Sequence, residues 1–227
     1  MQSIDVFRSV WLDPNEYARR VKQQRQKRII GYFCSYAPEE VIHAARAIPF
    51  RLFGTKGEIT MADAHLQSYC CSLVRGGLEE ALAGSLDFLD GTVFPHTCDS
   101  IQRLSDIWRL QAGFSSHFDV VLPVKLDTGS AAKYMIAVFN RFRSELEARF
   151  EIQITDAALN TAIADYNRIR TQLRALYEIR SRNPSLLGPS TVNQILRAAM
   201  VMERREFLGH IRDFLNSLDL SADSGHE

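Results

Sequence analysis

The sequence has few cysteines, no long hydrophobic run and no excess of charge of either sign. Only four of its 227 residues are cysteine, and 27 basic residues balance 27 acidic ones. Balanced charge gives no whole-protein electrostatic argument for binding nucleic acid or an anionic membrane. No run approaches the roughly 18 apolar residues of a membrane span, and the chain does not open with the basic and then apolar pattern of a signal peptide. We therefore expect a cytoplasmic protein with no membrane or nucleic-acid partner.

The common catalytic and nucleotide-binding motifs are also missing. The chain contains no P-loop, no G-x-G-x-x-G turn and no G-x-S-x-G nucleophile elbow. One local excess of charge, the basic run from Arg19 to Arg28, is interpreted as the solvated face of a helix, with a phosphate-bearing cofactor such as a nucleotide or coenzyme A as the alternative. Hydrophobic residues make up 46% of the chain, enough to bury a core.

Short β-branched or aromatic runs alternate with helix-like runs in the first half of the chain. Such alternation is typical of βαβ units and a mainly parallel sheet. After Gly129 the apolar spacing becomes helical throughout. We predict an α/β fold with a Rossmann-like parallel sheet in the first half and a helical second half. The corresponding division is an α/β domain over residues 1–125, a helical region over 126–220 and a polar tail over 221–227.

The predicted elements follow from the same patterns. Strands are expected at 28–34, at 49–53, around Val93 and at 118–123. Helices are expected from a cap at Asp13 or Asn15 to about residue 26, after Pro38, after Cys71, and from Cys98 to about 110. In the second half, helices are expected up to residue 149, from a cap at Thr155, and at about 190–201 and 203–218.

Three of the four cysteines lie between Met61 and Trp108, the segment around which the chain is organised. Cys70 and Cys71 come at the start of an amphipathic run, and Cys98 lies between a predicted strand and a predicted helix. Helix N-termini stabilise thiolates, and ligands of parallel sheets bind at the carboxyl ends of strands, where Cys98 and Cys34 are expected. Cys71 and Cys98 are 27 positions apart, which is not a tight metal-binding spacing. The residues alone therefore leave open a shared metal or cluster and ordinary buried thiols.

Other polar residues have two interpretations each. His96, two positions before Cys98, could be a ligand or proton donor, or a turn histidine bonded to the backbone. Ser35 is interpreted as a helix cap, with a catalytic hydroxyl as the alternative. Glu39 and Glu40 are interpreted as first-turn residues that favour the helix dipole, with acid–base catalysis as the alternative.

Four stretches, in this order, resemble the subunits of benzoyl-CoA reductases and 2-hydroxyacyl-CoA dehydratases. The first covers Tyr32–Leu52, with the pattern YFCSYAPEEVIHAA followed by IPFRL. The second and third, Gln67–Arg75 and Leu86–Asp99, are similar to the segments that carry the first and second cluster cysteines of that family. The fourth, Ile154–Arg170, is similar to the helix that follows.

The resemblance extends over residues 13 to 218 and implies a specific chemistry. Subunits of this family bind one [4Fe–4S] cluster through three cysteines, and they work as pairs of related subunits with Rossmann-like α/β domains. An ATP-dependent iron–sulfur activator delivers one electron of very low potential to an acyl-CoA substrate. The resulting ketyl radical permits either dehydration of a 2-hydroxyacyl-CoA or reduction of the benzoyl-CoA ring. By position, Cys71 and Cys98 match the cluster ligands, Cys70 and Cys34 are weaker alternatives, and Ser35 corresponds to a hydroxyl near the substrate in some members.

The chain departs from the family pattern at two places. Arg46 stands where members usually have glycine, so that the turn there is expected to differ. The family's third cluster ligand lies in a later domain, beyond the end of this sequence. We therefore expect an apparently truncated subunit of an iron–sulfur acyl-CoA dehydratase or reductase. The alternatives are a non-catalytic electron-transfer partner that supports a full-length paralogue, and an α/β fragment with structural cysteines.

Overall fold

The computed structural model describes residues 3–55, 57–111, 113 and 116–218, and four strands within them form one parallel sheet. The strands are β1 (Ile29–Tyr32), β2 (Ile48–Arg51), β3 (Gly91–Pro95) and β4 (His117–Val120). Their order across the sheet is β2-β1-β3-β4, and all three pairings are parallel. The polar tail predicted for residues 221–227 lies outside the described residues.

Helices dominate the second half of the described chain, which confirms the predicted fold class. In chain order they are α1 (Ser3–Leu12), α2 (Pro14–Arg25), α3 (Glu39–Ala44), α4 (Ser72–Leu82), α5 (Asp99–Gln111), α6 (Gly129–Phe150), α7 (Asp156–Arg182), α8 (Pro189–Val201) and α9 (Arg204–Asn216). A short 3₁₀ turn, Ala62–Ala64, precedes α4. None of the helices described is both long and apolar enough to cross a lipid bilayer.

The predicted element boundaries need small corrections. Helix α1 was not expected, although Phe7 and Val10 bury its apolar side. The strands are shorter than predicted because pairing stops where the backbone turns, as after β1. Two predicted helix caps are confirmed: the Asp13 side chain accepts from the backbone N–H of Glu16, and the Thr155 side chain caps α7 in the same manner.

The basic run at the end of α2 is an ion-paired surface and not simply a solvated one. Its cationic side chains are about one-third exposed, and carboxylates from distant segments reach them. The solvated-face interpretation is therefore only partly right. The pairs are Arg19–Asp87 (3.0 Å), Lys22–Asp90 (3.0 Å), Arg25–Glu206 (2.7 Å) and Lys27–Glu203 (3.1 Å).

A hydrophobic core lies on each face of the sheet. On one face, Phe33 and Phe94 stack at 5.4 Å and both meet the edge of Trp108 from α5. Helices α1, α2, α4, α8 and α9 contribute to the same core. On the opposite face, Phe118 meets Phe142 of α6 at 5.6 Å, and α3 and the start of α7 complete that layer. Helices from the second half therefore cover both faces of the sheet, and the division at residue 125 stays a prediction.

Candidate functional site

Two of the cysteine-bearing loops leave the same edge of the sheet. Strands β1 and β3 are parallel neighbours, with Tyr32 opposite Val93. Cys34 follows the carboxyl end of β1, and Cys98 follows the carboxyl end of β3 and directly precedes α5. Ligands of parallel sheets bind at this edge. The structure thus places both cysteines where the sequence predicts a ligand site.

The four thiols differ in their exposure to solvent, and none forms a disulfide. Cys71 and Cys98 are exposed, and Cys34 is partly buried. Cys70 is only 7% exposed and belongs to the hydrophobic core on the Trp108 face of the sheet. The adjacent cysteines Cys70 and Cys71 therefore have different surroundings, and only the second is available to a ligand.

Both exposed cysteines start a helix. The carbonyl of Cys71 accepts from the N–H groups of Val74 and Arg75, each at 3.1 Å, and Cys71 is the N-cap residue of α4. The carbonyl of Cys98 accepts from the N–H groups of Ile101 (3.1 Å) and Gln102 (3.2 Å) at the start of α5. The positive end of each helix dipole thus lies beside an exposed cysteine.

Cys34 lies close to the two exposed cysteines. Burial raises the pKa of its thiol above the usual range, and negative charge on Cys98 or Cys71 raises it further. A hydrogen bond with the Thr97 side chain and the nearby charge of Arg51 act in the opposite direction. Because Thr97 directly precedes Cys98, this hydrogen bond brings the sulfur of Cys34 beside the Cys98 loop. The structure therefore brings three of the four cysteines to one edge of the sheet.

A cluster of histidine, aspartate and serine side chains lies next to the Cys98 loop. Asp119 Oδ1 lies 2.8 Å from His96 Nε2 and accepts from the Ser105 hydroxyl at 2.6 Å, while Asp119 Oδ2 lies 3.2 Å from His117 Nε2. Burial alone would raise the pKa of Asp119, but hydrogen bonds with His117, Ser105 and His96 outweigh it and hold that pKa well below its usual range. The backbone N–H of His96 also donates to Val120.

The sequence interpretation missed three of these four side chains. His117 and Asp119 are two positions apart on β4, so a His-x-Asp pattern at the start of the strand predicted from residue 118 was the available signal for a shared face. Ser105 gave no such signal because its partners come from another element.

Ser35 does not cap a helix, which corrects the interpretation made from the sequence. Helix α3 begins at Glu39, and its N-cap residue Pro38 makes no side-chain hydrogen bond. Ser35 is instead exposed, between Cys34 (φ 49°) and Tyr36 (φ 69°). Two turns into the left-handed region, on either side of Ser35, delay the helix by several residues and leave the Ser35 hydroxyl at the surface.

Comparison with known proteins identifies the group to which this chain is related. Residues 34–226 match the family model of the 2-hydroxyglutaryl-CoA dehydratase, D-component. The chain belongs to this family.

Curated relatives of the D-component family come from both of its branches. The chain is 34% identical over 193 residues to a subunit of the benzoyl-CoA reductase of Thauera aromatica, covering 83% of this chain and 50% of that protein. It is 24% identical over 212 residues to the (R)-phenyllactyl-CoA dehydratase beta subunit of Clostridium sporogenes, covering 93% of this chain and 57% of that subunit. It is 26% identical over 219 residues to the (R)-2-hydroxyglutaryl-CoA dehydratase beta subunit of Acidaminococcus fermentans, covering 95% of this chain and 57% of that subunit. The chain thus spans about half the length of the curated relatives it matches.

Two motifs that carry the resemblance to the D-component family meet in one buried network. Arg204 is 1% exposed and donates to Glu39 Oε2 (2.9 Å), the Tyr166 hydroxyl (2.7 Å) and the Pro49 carbonyl (2.9 Å). Glu39 belongs to the Pro-Glu-Glu pattern and Tyr166 to the pattern of the long helix. The network fixes the start of α3 and so supports the loop that carries Cys34 and Ser35. The dipole-favouring position of Glu39 is confirmed, and an ion pair with Arg204 is its main contact.

Arg46 forms the left-handed turn that ends α3. Its φ of 60° lies in the left-handed region. Its N–H donates to the His43 carbonyl, and the N–H of Ala47 donates to the Ile42 carbonyl. These two bonds define a Schellman motif at the end of α3. Glycine commonly adopts this conformation at helix ends, and the expectation that the turn differs from that of the family stays a prediction.

The side chains exposed at this edge include thiols, the donor type that iron–sulfur clusters use. Among the described residues, no three His, Cys, Asp or Glu side chains lie close enough together to hold one metal ion. The thiolates of a cubane cluster bind different iron atoms, so that they lie farther apart than the ligands of a single ion. Thiolate is the preferred ligand of such clusters, and the edge presents two exposed thiols with a third beside them.

Proposed function

We propose that this chain is part of a subunit of an iron–sulfur acyl-CoA dehydratase or reductase, and that Cys71 and Cys98 ligate a [4Fe–4S] cluster. The observation that carries the proposal is the exposed pair of thiols, each at a helix N-terminus beside the carboxyl edge of the sheet, in a chain of the D-component family. When bound, such a cluster supplies one-electron transfer and an iron that is open to a substrate oxygen.

The surrounding residues prepare this edge for a negatively charged group. The positive ends of the α4 and α5 dipoles lie beside Cys71 and Cys98, where they would attract an anionic group. Cys70, buried in the core, anchors the loop just before α4. On the other side, Asp119 holds His96 and so fixes the loop between β3 and Cys98. Each ligand therefore comes from a loop whose neighbouring residue is fixed by packing or hydrogen bonding, as precise ligand sites require.

We further propose that the substrate is a CoA thioester and that the reaction is one-electron chemistry, through either 2-hydroxyacyl-CoA dehydration or benzoyl-CoA ring reduction. The names of the relatives support both branches. Those relatives are subunits of larger assemblies, which supports a paralogous subunit as partner. An ATP-dependent iron–sulfur activator is the partner that would supply the electron. Ser35, exposed on the loop beside Cys34, is the hydroxyl that we expect near the thioester.

The first test measures iron and acid-labile sulfide after anaerobic purification, together with the EPR spectrum of the dithionite-reduced protein. We expect Cys71→Ser and Cys98→Ser each to hold much less iron than the wild type, because each variant lacks one of the two proposed thiolate ligands. Cys70→Ala is the matched control and should keep its iron, since Cys70 is buried in the core. Full iron content in both serine variants would refute the ligand assignment.

A second test addresses the substrate class. Adding benzoyl-CoA or a 2-hydroxyacyl-CoA to the reduced protein, assembled with its partner subunit, should change the EPR signal if the thioester binds at the cluster. Free coenzyme A controls for binding of the nucleotide part alone. A signal that no acyl-CoA perturbs would favour the electron-transfer partner over a catalytic role for this chain.

A further inference from the structure

We propose that an apolar groove beside the Ser35 loop binds the acyl group of the CoA thioester, and that it selects an apolar acyl group without a second carboxylate. The inference rests on the proposed acyl-CoA function, and it adds to that function the kind of acyl group that this chain accepts.

The first support is the position of the groove at the carboxyl edge of the sheet. Its walls include Tyr36 from the loop after β1, and Leu122 and Leu126 from the segment after β4. These two segments leave the sheet on either side of β3, the strand that leads to Cys98. Ser35 directly precedes Tyr36. The hydroxyl that we expect near the thioester therefore lies on the same loop as one wall of the groove.

The second support is the size and the preformed shape of the groove. Its volume is about 430 Å³, within the roughly 300–1,000 Å³ that is typical of small-molecule sites. Helices α6 and α7 close its other sides with Phe139, Leu159 and Ile163. Val41, Phe139 and Leu159 also pack against the hydrophobic core on this face of the sheet. The floor of the groove is therefore fixed before a ligand binds.

The third support is the apolar surface that the groove leaves in water. The side chains of Tyr36, Leu126 and Ile163 are 64%, 68% and 45% exposed, and all three line the groove. Clustered apolar side chains of this kind mark binding sites. Tyr36 also has a φ of 69°, in the left-handed region that disfavours residues with side chains. An apolar acyl group would cover these side chains and remove their surface from water.

The fourth support is the charge of the lining. Among the described residues, Glu40 is the one charged side chain that lines the groove, and Arg170 holds its carboxylate at 2.5 Å. A second carboxylate on the acyl group would lose its hydration there without gaining a cationic partner, and Glu40 would repel it. The groove should therefore accept aromatic and aliphatic acyl groups and reject dicarboxylic ones.

The test measures the affinity of CoA thioesters for the full 227-residue chain by isothermal titration calorimetry. The ligands are acetyl-CoA, butyryl-CoA, hexanoyl-CoA, benzoyl-CoA and glutaryl-CoA, with free coenzyme A as the control for the nucleotide part. We expect the affinity to rise about threefold to fourfold for each added methylene group. Glutaryl-CoA should bind about tenfold or more weakly than hexanoyl-CoA.

Variants at an exposed position connect this selectivity to the groove. Ile163→Glu should reduce the affinity for hexanoyl-CoA to that for free coenzyme A, and Ile163→Lys should shift the preference towards glutaryl-CoA by about tenfold. Ile136→Glu is the matched control and should change neither affinity, because Ile136 is 61% exposed on α6 and does not line the groove. Circular dichroism establishes that each variant is folded.

The outcomes separate the inference from the proposed function. Equal affinities for free coenzyme A and all thioesters would overturn the inference and leave the acyl-CoA function standing. No binding of any CoA compound to the folded chain would also overturn it, because this chain alone forms the groove. The substrate class would then be decided by the EPR test on the assembly with the partner subunit.

The same variants test whether protein occupies the groove instead. If Ile163→Glu dissociated a dimer of the wild-type chain in sedimentation, with no change in thioester affinity, the groove would be an interface between copies and the inference would fail. None of these results bears on the cluster, since the iron content of Cys71→Ser and Cys98→Ser decides that assignment.

Discussion

Replacing Arg46 by glycine should stabilise the protein. Arg46 is exposed, has φ 60°, and forms no ion pair within the described chain, so the substitution removes strain and little else. A non-glycine residue in the left-handed region destabilises the folded state by roughly 1–2 kcal/mol. Glycine also gives the unfolded chain more conformational freedom, which offsets about 0.4–1 kcal/mol of the gain. The expected gain in the free energy of unfolding is therefore about 0.5–1 kcal/mol. For a chain of this size we expect the melting temperature to rise by about 1–4 °C.

The assay is urea denaturation followed by far-ultraviolet circular dichroism, with the melting temperature as a second readout. Arg46→Ala is the control, because it removes the arginine side chain but keeps the left-handed cost, and it should change stability by less than about 0.5 kcal/mol. If glycine were no more stable than alanine at this position, the Schellman turn at the end of α3 would not carry the strain that we assign to it.

Three other substitutions test the packing around the site. Arg204→Met should lower the free energy of unfolding by about 3 kcal/mol, as measured by chemical denaturation. The substitution removes a buried guanidinium and leaves its partners, among them the Glu39 carboxylate, without their charged donor. Gly77→Ala should cost about 1–3 kcal/mol, because the new methyl group would lie 2.5 Å from the Phe33 ring. Asp119→Asn should lower the free energy of unfolding at neutral pH. It should also make that free energy depend less on pH under acidic conditions. The folded-state pKa of Asp119 is lowered, so its contribution is present above the unfolded value of about 4 and is lost as the pH falls below it.

Two of these predictions, Gly77→Ala and Asp119→Asn, have a matched control or a contrary result. Gly209→Ala, also within a helix, meets no atom within 4 Å and should be neutral or stabilising by up to about 1 kcal/mol. A Gly77→Ala variant as stable as Gly209→Ala would show that Phe33 can move aside. Unfolding of Asp119→Asn measured between about pH 2 and pH 7 should depend less on pH than that of the wild type. Parallel profiles would show that the carboxylate does not hold its histidine partners in solution.

Local patterns predicted much of the fold and part of the site. Alternating strand-like and helix-like runs were enough for a parallel sheet followed by helices, and the short polar side chains of Asp13 and Thr155 were enough for two helix caps. The positions of Cys71 and Cys98 at the starts of α4 and α5 also followed from local spacing. These features depend on neighbours within a few residues, which the sequence displays directly. The missed helix α1 and the assignment of Ser35 as a cap show that element ends are less certain.

Contacts between distant segments were decided only by the tertiary structure. The sequence could not show that Glu39 would meet Arg204, 165 positions away, or that Asp119 would hold His96. The sequence left Cys34 and Cys70 as two equally weak alternative ligands. The fold separates them, because it buries Cys70 in the core and brings Cys34 beside the Cys98 loop. The reason is the strand order β2-β1-β3-β4, which makes β1 and β3 neighbours across the long connection between them. Amino-acid spacing determined which thiols begin helices, and the crossovers of the sheet determined which thiols lie together.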